Sequence, residues 1–121
     1  MRVQKIHLIS LAGRDAEVHL SDGKRVCVAF CQPCEYGEGE VLDGPLHAFM
    51  TKAVMLSYGD DISMQRANQN SFAYKCIGRV VDAQTDLVAI GNFEIELDDR
   101  IPAGVSAGDL VDFECARIDL W

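Results

Sequence analysis

Two cysteines in the first third of the chain have the spacing of half a zinc site. Cys31 and Cys34 are separated by Gln32 and Pro33, and thiolates two residues apart commonly supply two ligands of a tetrahedral zinc ion. The other ligands would come from elsewhere in the fold, from Cys76, Cys115, His7, His19 or His47. Cys31 and Cys34 are therefore candidate metal ligands, with zinc as the candidate metal. The alternative is that the cysteines are small core residues or mark a strand end.

The same four residues suggest a second kind of chemistry. The run Cys31-Gln32-Pro33-Cys34 resembles the redox dithiol of thioredoxin-like proteins, in which the first cysteine lies at the start of a helix. That resemblance implies a reversible disulfide, with a helix dipole lowering the thiol pKa. The residues after Cys34 are acidic and rich in glycine, which makes a poor helix start and raises a thiol pKa. A metal- or redox-active protein is one functional hypothesis.

No other group of residues forms a catalytic motif. The three histidines are scattered, and no nucleophile-elbow sequence accompanies them. The acidic pairs at 60–61 and 98–99 lack the spacing of a calcium-binding loop. The other acids alternate with apolar residues, as on a solvated strand face: Glu94, Glu96, Asp112 and Glu114. The sequence assigns no catalytic residue and favours a non-enzymatic protein.

Alternating apolar and polar residues predict strands over much of the chain. They cover residues 3–11, 16–20, 25–31, 72–82, 87–90, 93–97 and 109–120. Asp22-Gly23 is a strong hairpin signal between the second and third of these. In the third strand we expect Val26, Val28 and Phe30 to face inward, and the intervening cysteines and alanine to lie on the other face.

The middle of the chain is less regular. Residues 46–58 carry apolar side chains at helical spacing, and Asp43 and Pro45 suit a helix start. We expect one short helix there, although the run Ala-Val-Met-Leu-Ser-Tyr also suits a strand. Residues 35–44 and 60–71 are polar and read as two long exposed loops, where binding modules often place their contacts.

These elements predict a mainly β chain with a single domain over residues 1–121. About seven short strands with regular turn signals indicate a small antiparallel barrel or sandwich with one short helix. Residues 105–113, Val-Ser-Ala-Gly-Asp-Leu-Val-Asp-Phe, look like the strand entry of OB-like and translation-type barrels. That resemblance covers nine residues and implies a fold, without naming a family.

The charge of the chain is high and uneven. The net charge is −8; residues 1–34 hold five basic and three acidic residues, and residues 35–121 hold six basic and sixteen acidic ones. An acidic surface repels nucleic-acid phosphates and anionic membranes. It attracts a partner with a basic face, although solubility alone also explains such a charge. The expected partner is a protein, with no membrane involved and nucleic acid disfavoured.

One nucleic-acid hypothesis remains open. Phe72, Tyr74 and Phe93 lie on predicted strands, and aromatic side chains on a β surface can stack against single-stranded bases. Such a platform normally has a basic groove, and this half of the chain offers few basic residues. Binding of single-stranded nucleic acid by an OB-like barrel is therefore an alternative function.

We expect a cytoplasmic protein with reduced thiols. The first residues contain Gln4, Lys5, His7 and Ser10, which interrupt any signal-peptide core. Five cysteines are an odd number and do not frame a secreted disulfide scaffold. The favoured function is a non-enzymatic interaction module. A specific version is an acidic inhibitor- or immunity-type protein that captures a basic toxin or nuclease.

Overall fold

The computed structural model describes all 121 residues, which form eleven strands and no helix. The strands are β1 Arg2–Ser10, β2 Asp15–Ser21, β3 Val26–Cys31, β4 Leu46–Phe49, β5 Lys52–Leu56, β6 Ser63–Arg66, β7 Tyr74–Asp82, β8 Leu87–Ile90, β9 Phe93–Glu96, β10 Leu110–Cys115 and β11 Arg117–Asp119. Eight of them lie in the seven regions where strands were predicted, because the last region contains both β10 and β11. The all-β character is thus confirmed.

The strands form one mixed sheet that does not close. Their order is β1-β2-β3-β11-β4-β9-β8-β7-β10-β5, and β6 pairs with β7 off this path. The pairs β3–β11 and β4–β9 are parallel, and all other pairs are antiparallel. Because β1 and β5 are the unconnected ends, the expected barrel is not closed. The sandwich and the OB-like relationship stay predictions.

The predicted helix over residues 46–58 is wrong. This segment forms β4 and β5, which are separated by a turn in which Met50 has a φ of 53°. Within β4, Leu46 and Ala48 are buried and His47 and Phe49 are half-buried, so burial follows the two-residue period of a strand. Strand β4 pairs with β9 and β11, and β5 pairs with β10. These long-range hydrogen bonds override the local helical spacing.

Two other expectations need correction. The predicted loop at residues 60–71 contains β6, which pairs with the first half of β7. In β3, Cys27, Ala29 and Cys31 face the core, whereas Val26 is exposed and Phe30 half-buried. The alternation predicted the strand correctly, but it could not identify which face of the strand is buried, because both faces are largely apolar.

Residues 35–44 lie along the outer edge of β1. The amides of Val3, Gly39 and Leu42 take part in backbone hydrogen bonds between this loop and the start of β1. The loop therefore covers part of an edge that would otherwise be open to pairing with another chain.

Three side-chain hydrogen bonds join the β1–β3 meander to the second half of the chain. The Val28 amide donates to the Tyr74 hydroxyl at 2.8 Å inside the core. The Asn92 amide donates to Asp22 at 3.0 Å. Arg66 of β6 pairs with Glu17 of β2 at 2.9 Å. A cluster of 23 buried apolar residues fills the space between.

No part of the chain forms an apolar helix of the length that crosses a membrane. The cytoplasmic location stays a prediction.

Candidate functional site

Cys31 and Cys34 lie at and just after the end of β3. Cys31 is buried, with 3% of its surface exposed, and Cys34 is half-buried. The Cys31 thiol donates to the Pro33 carbonyl oxygen at 3.8 Å. Burial raises the pKa of Cys31 to about 12, and the neighbouring Cys34 thiol adds to the rise. The Cys31 thiol is therefore protonated at neutral pH and is not a ready nucleophile.

The remaining cysteines lie in the core. Burial raises the pKa of Cys27 and of Cys115 to about 12, and it raises that of Cys76 as well. Nowhere in the chain do three or more His, Cys, Asp or Glu side chains gather in a way that could hold a metal ion. A zinc site at Cys31 and Cys34 stays a prediction, and the fold brings no further ligand group to it.

The setting of Cys34 also differs from that of a redox dithiol. The chain after Cys34 continues as the loop along β1, and no helix begins there. No helix dipole favours the thiolate of Cys31, and burial outweighs the one backbone hydrogen bond, from Glu35, that does favour it. Redox activity stays a prediction, and the geometry around Cys31 and Cys34 does not support it.

Phe72, Tyr74 and Phe93, which were expected to form a surface for base stacking, do not form an exposed aromatic surface. Phe93 is fully buried and Tyr74 is 4% exposed. Phe72 precedes β7 and packs edge-on against Phe30, with ring centroids 5.6 Å apart. Stacking on bases needs exposed rings, so the nucleic-acid alternative stays a prediction without the surface it was based on.

Other aromatic side chains line the outer side of the sheet. Strand β11 lies between β3 and β4, and Arg117 of β11 lies opposite Phe49 of β4. The Arg117 guanidinium is 4.5 Å from the centre of the Phe30 ring and 4.3 Å from that of Phe49. Its Nε donates to Asp119 at 2.7 Å. Two rings and a carboxylate thus hold one guanidinium on this side of the sheet.

Trp121 continues the same row beyond β11. Its indole stacks on the His47 ring, with centroids 3.6 Å apart and an interplanar angle of 11°. The Tyr36 hydroxyl donates to the Trp121 backbone oxygen at 2.6 Å. Trp121 as a whole residue is nevertheless 77% exposed. This large aromatic surface is therefore held in place yet open to solvent.

A cleft of about 190 Å³ lies beside Trp121. It is lined by His47, Ala48, Phe49, Glu96, Leu97, Asp98, Asp119 and Trp121. We call the outer side of β3, β11, β4 and β9 the aromatic–acidic face, defined by Phe30, His47, Phe49, Glu96, Asp98, Arg117, Asp119 and Trp121. The cleft is the concave part of this face and joins aromatic walls to three carboxylates.

The three carboxylates of the cleft differ in their partners. Burial acts to raise the pKa of Asp98, but hydrogen bonds outweigh it and hold this pKa below its usual range. Among them, the amides of Met50 and Thr51 both donate to Asp98 at 2.8 Å. Asp119 is paired with Arg117. Neither Asp98 nor Glu96 forms an ion pair with any basic residue of the chain, so the cleft has uncompensated negative charge.

A second polar cluster borders the face. Glu17 of β2 lies opposite Phe30 of β3. Its carboxylate bonds the His19 ring at 3.0 Å and the Arg66 guanidinium at 2.9 Å. All three side chains are roughly three-quarters buried. Their charges are already matched within the chain, which makes the cluster a link between β2 and β6 rather than a free site.

Comparison with protein-family models, with curated proteins and with solved structures finds no match for this chain.

Sequence reasoning missed the aromatic–acidic face for identifiable reasons. Phe30 was expected inside, and His47 and Phe49 were assigned to a helix. Arg117 and Asp119 follow the break at Ala116, where the alternation changes parity. The usable signal was the alternation of Arg117, Asp119 and Trp121 with buried Ile118 and Leu120, which marks an outer strand face.

Proposed function

We propose that this protein is a non-enzymatic interaction module that binds a basic protein through its aromatic–acidic face. The observation that carries the proposal is the cleft beside Trp121, where exposed aromatic surface lies next to Glu96 and Asp98, carboxylates without a basic partner. Aromatic anchors are typical of the residues that dominate protein interfaces. Unpaired carboxylates attract arginine and lysine side chains of a partner.

The charge distribution supports the same proposal. Residues 35–121 hold sixteen acidic and six basic residues, and most of the aromatic–acidic face belongs to this part of the chain. A negative field of this size speeds the approach of a basic protein and weakens as salt is added. It also opposes binding to phosphate backbones.

The scaffold suits recognition without large rearrangement. Strands β11 and β4 present the face from the middle of the sheet, and their alternate residues are buried in the core. Side chains on such strands are preorganised, which reduces the entropy lost on binding. Of the two segments first expected to make the contacts, residues 35–44 lie along β1 and residues 60–71 contain β6.

An inhibitor- or immunity-type protein is the specific version of this proposal. A small acidic protein that captures a basic toxin or nuclease benefits from fast, electrostatically steered association. This version predicts a basic toxin encoded beside the gene and tight, stoichiometric binding to it. The absence of such a neighbour, together with no tight binding to any basic toxin, would refute this version while leaving the broader proposal.

The proposal is tested by mapping a basic peptide onto the protein by NMR. A ten-residue peptide of alternating arginine and glycine is added to the uniformly ¹⁵N-labelled chain. We expect saturable amide shifts at His47, Phe49, Glu96 and Arg117. The matched control is a peptide of alternating glutamate and glycine, which we expect to cause no shift.

The position of the shifts decides the outcome. Residues around Tyr58 and Met55, on the exposed end of β5 and the loop after it, serve as an internal reference surface. Weak shifts spread over all acidic regions, including that reference surface, would show non-specific charge attraction and would refute the proposed face.

A further inference from the structure

We infer that the cleft beside Trp121 is a receptor for one guanidinium group, and that an arginine side chain of the partner occupies it. This inference deepens the proposed function and depends on it. The cleft lies at the end of the aromatic–acidic face, between β4, β9 and the residues after β11.

The size of the cleft fits a single side chain. Its volume of about 190 Å³ is below the range of roughly 300–1,000 Å³ found for pockets that enclose small-molecule ligands. One arginine side chain entering from a partner protein needs less space than a free ligand, because the rest of the partner stays outside.

The chemistry of the cleft fits a cation. Trp121, Phe49 and His47 provide aromatic walls, and Glu96, Asp98 and Asp119 provide carboxylates. A cation over an indole face is attracted by the ring quadrupole, and tryptophan is the best such partner. The chain supplies no basic side chain to Glu96 or Asp98, so both carboxylates are open to a cation from a partner.

The same face shows how the chain already holds a guanidinium. Arg117 lies between Phe30 and Phe49, with Asp119 accepting from its Nε at 2.7 Å. The cleft beside Trp121 has the same combination of aromatic ring and carboxylate. No arginine of the chain itself lies in it. A planar guanidinium can stack on the indole and bond two carboxylate oxygens at once, whereas an ammonium can use only the charge.

Asp98 is fixed in position for this role. Its two oxygens accept from the Met50 and Thr51 amides at 2.8 Å each. These bonds hold the carboxylate in place beside the β4–β5 turn. The cleft therefore presents one immobilised carboxylate, Asp98, and one free to adapt, Glu96, which has no hydrogen-bond partner within the chain.

The intrinsic fluorescence of Trp121 tests the inference directly, because it is the only tryptophan of the chain. The protein is titrated with N-acetyl-arginine methylamide and, separately, with the lysine analogue and with the neutral citrulline analogue. We expect a saturable change in emission with the arginine compound, with a Kd on the order of millimolar. The citrulline compound gives none, and the lysine compound binds more weakly.

Two matched variants locate the effect. Glu96→Gln removes a carboxylate that lines the cleft, and Glu94→Gln removes one on the same outer face of β9 that does not line it. We expect Glu96→Gln to weaken binding of the arginine compound about fivefold. Glu94→Gln changes it less than about twofold, as a remote exposed charge should.

Each outcome bears on the inference in a defined way. Equal responses to the arginine and citrulline compounds, equal binding of the lysine compound, or equal effects of the two variants would overturn it. If the arginine compound fails but the arginine–glycine peptide still shifts the aromatic–acidic face, the guanidinium receptor is wrong and the proposed function survives. If both ligands fail, the proposed function is wrong as well.

Discussion

Tyr74 is the residue through which two distant parts of the chain meet in the core. Its hydroxyl accepts the Val28 amide at 2.8 Å, and burial raises the pKa of Tyr74 to about 12. The Val28 amide bonds the tyrosine and not the neighbouring strand β11, since β3 pairs with β11 at a single position, Phe30 with Asp119. A buried amide without a partner is costly, so this hydroxyl supports the join between β3 and β7.

Removing that hydroxyl should destabilise the protein. We expect Tyr74→Phe to lower the free energy of unfolding by about 1–3 kcal/mol, because the Val28 amide loses its acceptor inside the core. Urea unfolding followed by circular dichroism measures this. The control is Tyr58→Phe, since Tyr58 is 97% exposed and its hydroxyl bonds nothing in the chain. Equal stabilities of the two variants would contradict this role of Tyr74.

Glu17 should make stability depend on pH in the acid range. Its hydrogen bond to His19 holds the pKa of Glu17 below the ordinary 4.5, with burial opposing and Arg66 assisting. A lowered folded-state pKa stabilises the protein above the unfolded-state pKa, and that stability is lost as the pH falls through the folded-state value. Glu17→Gln should therefore cost about 1 kcal/mol at pH 7.

The pH profile distinguishes this role from a general loss of packing. The stability gap between wild type and Glu17→Gln should shrink as the pH falls below 4.5. Glu94→Gln, at an exposed position without ion pairs, should show no gap at any pH. A gap for Glu17→Gln that stays constant from pH 7 down to acid unfolding would mean that the carboxylate charge is not involved.

Single residues of the aromatic–acidic face were the hardest to predict from sequence. Trp121 and Phe30 acquire their roles from neighbours that are distant in the chain, His47 and Arg117. Alternation shows that a side chain lies on one side of a strand, but the strand order decides which other side chains lie beside it. Cys31 and Cys34 stood out through their spacing alone, and spacing says nothing about burial.

Among the elements, Asp22 links the β2–β3 hairpin to the β8–β9 hairpin through hydrogen bonds. Its carboxylate accepts from the amides of Lys24 and Arg25 within the β2–β3 turn and of Asn92 in the β8–β9 turn. Burial acts to raise the pKa of Asp22, but these three bonds outweigh it and hold the pKa below its usual range. The Asp22-Gly23 turn was predictable, whereas its bond to Asn92 depends on how the sheet curves.

We expect Asp22→Ala to separate the two turns. The variant loses three charge-assisted hydrogen bonds, which should lower the free energy of unfolding by about 1.5–3 kcal/mol. The Asn92 amide should also exchange its hydrogen faster, which native-state hydrogen exchange measures. Asp60→Ala is the control, because Asp60 is exposed and bonds nothing. Unchanged exchange at Asn92 would show that the bond does not hold the turns together.

The segment that forms β4 and β5 shows where sequence patterns fail for elements. Leu46, Phe49, Met50 and Ala53 follow helical spacing, yet β4 inserts between β11 and β9. A short apolar run fits either structure, and the available hydrogen-bond partners decide between them. By contrast, β2, β9 and β10 alternate clearly and were predictable, because one face is buried and the other is largely polar.

At the scale of the whole molecule, the separation of charge follows the sheet. The β1–β3 meander comes from residues 1–34, which carry a slight excess of basic residues, and the rest of the sheet carries the acidic excess. The all-β class and the acidity were predictable from composition and alternation. The strand order was not, because pairs such as β3–β11 and β4–β9 join segments far apart in sequence.

We propose that a basic partner binds specifically at the aromatic–acidic face and not to acidic surface in general. Isothermal titration calorimetry of the full chain with the arginine–glycine peptide tests it with two double variants of equal net charge. Trp121→Ala/Glu96→Gln alters the cleft, and Tyr58→Ala/Asp60→Asn alters an exposed aromatic and an acid on the loop after β5. We expect the first to lose about tenfold or more in affinity and the second to bind like wild type. Equal affinity of the two double variants would contradict the claim.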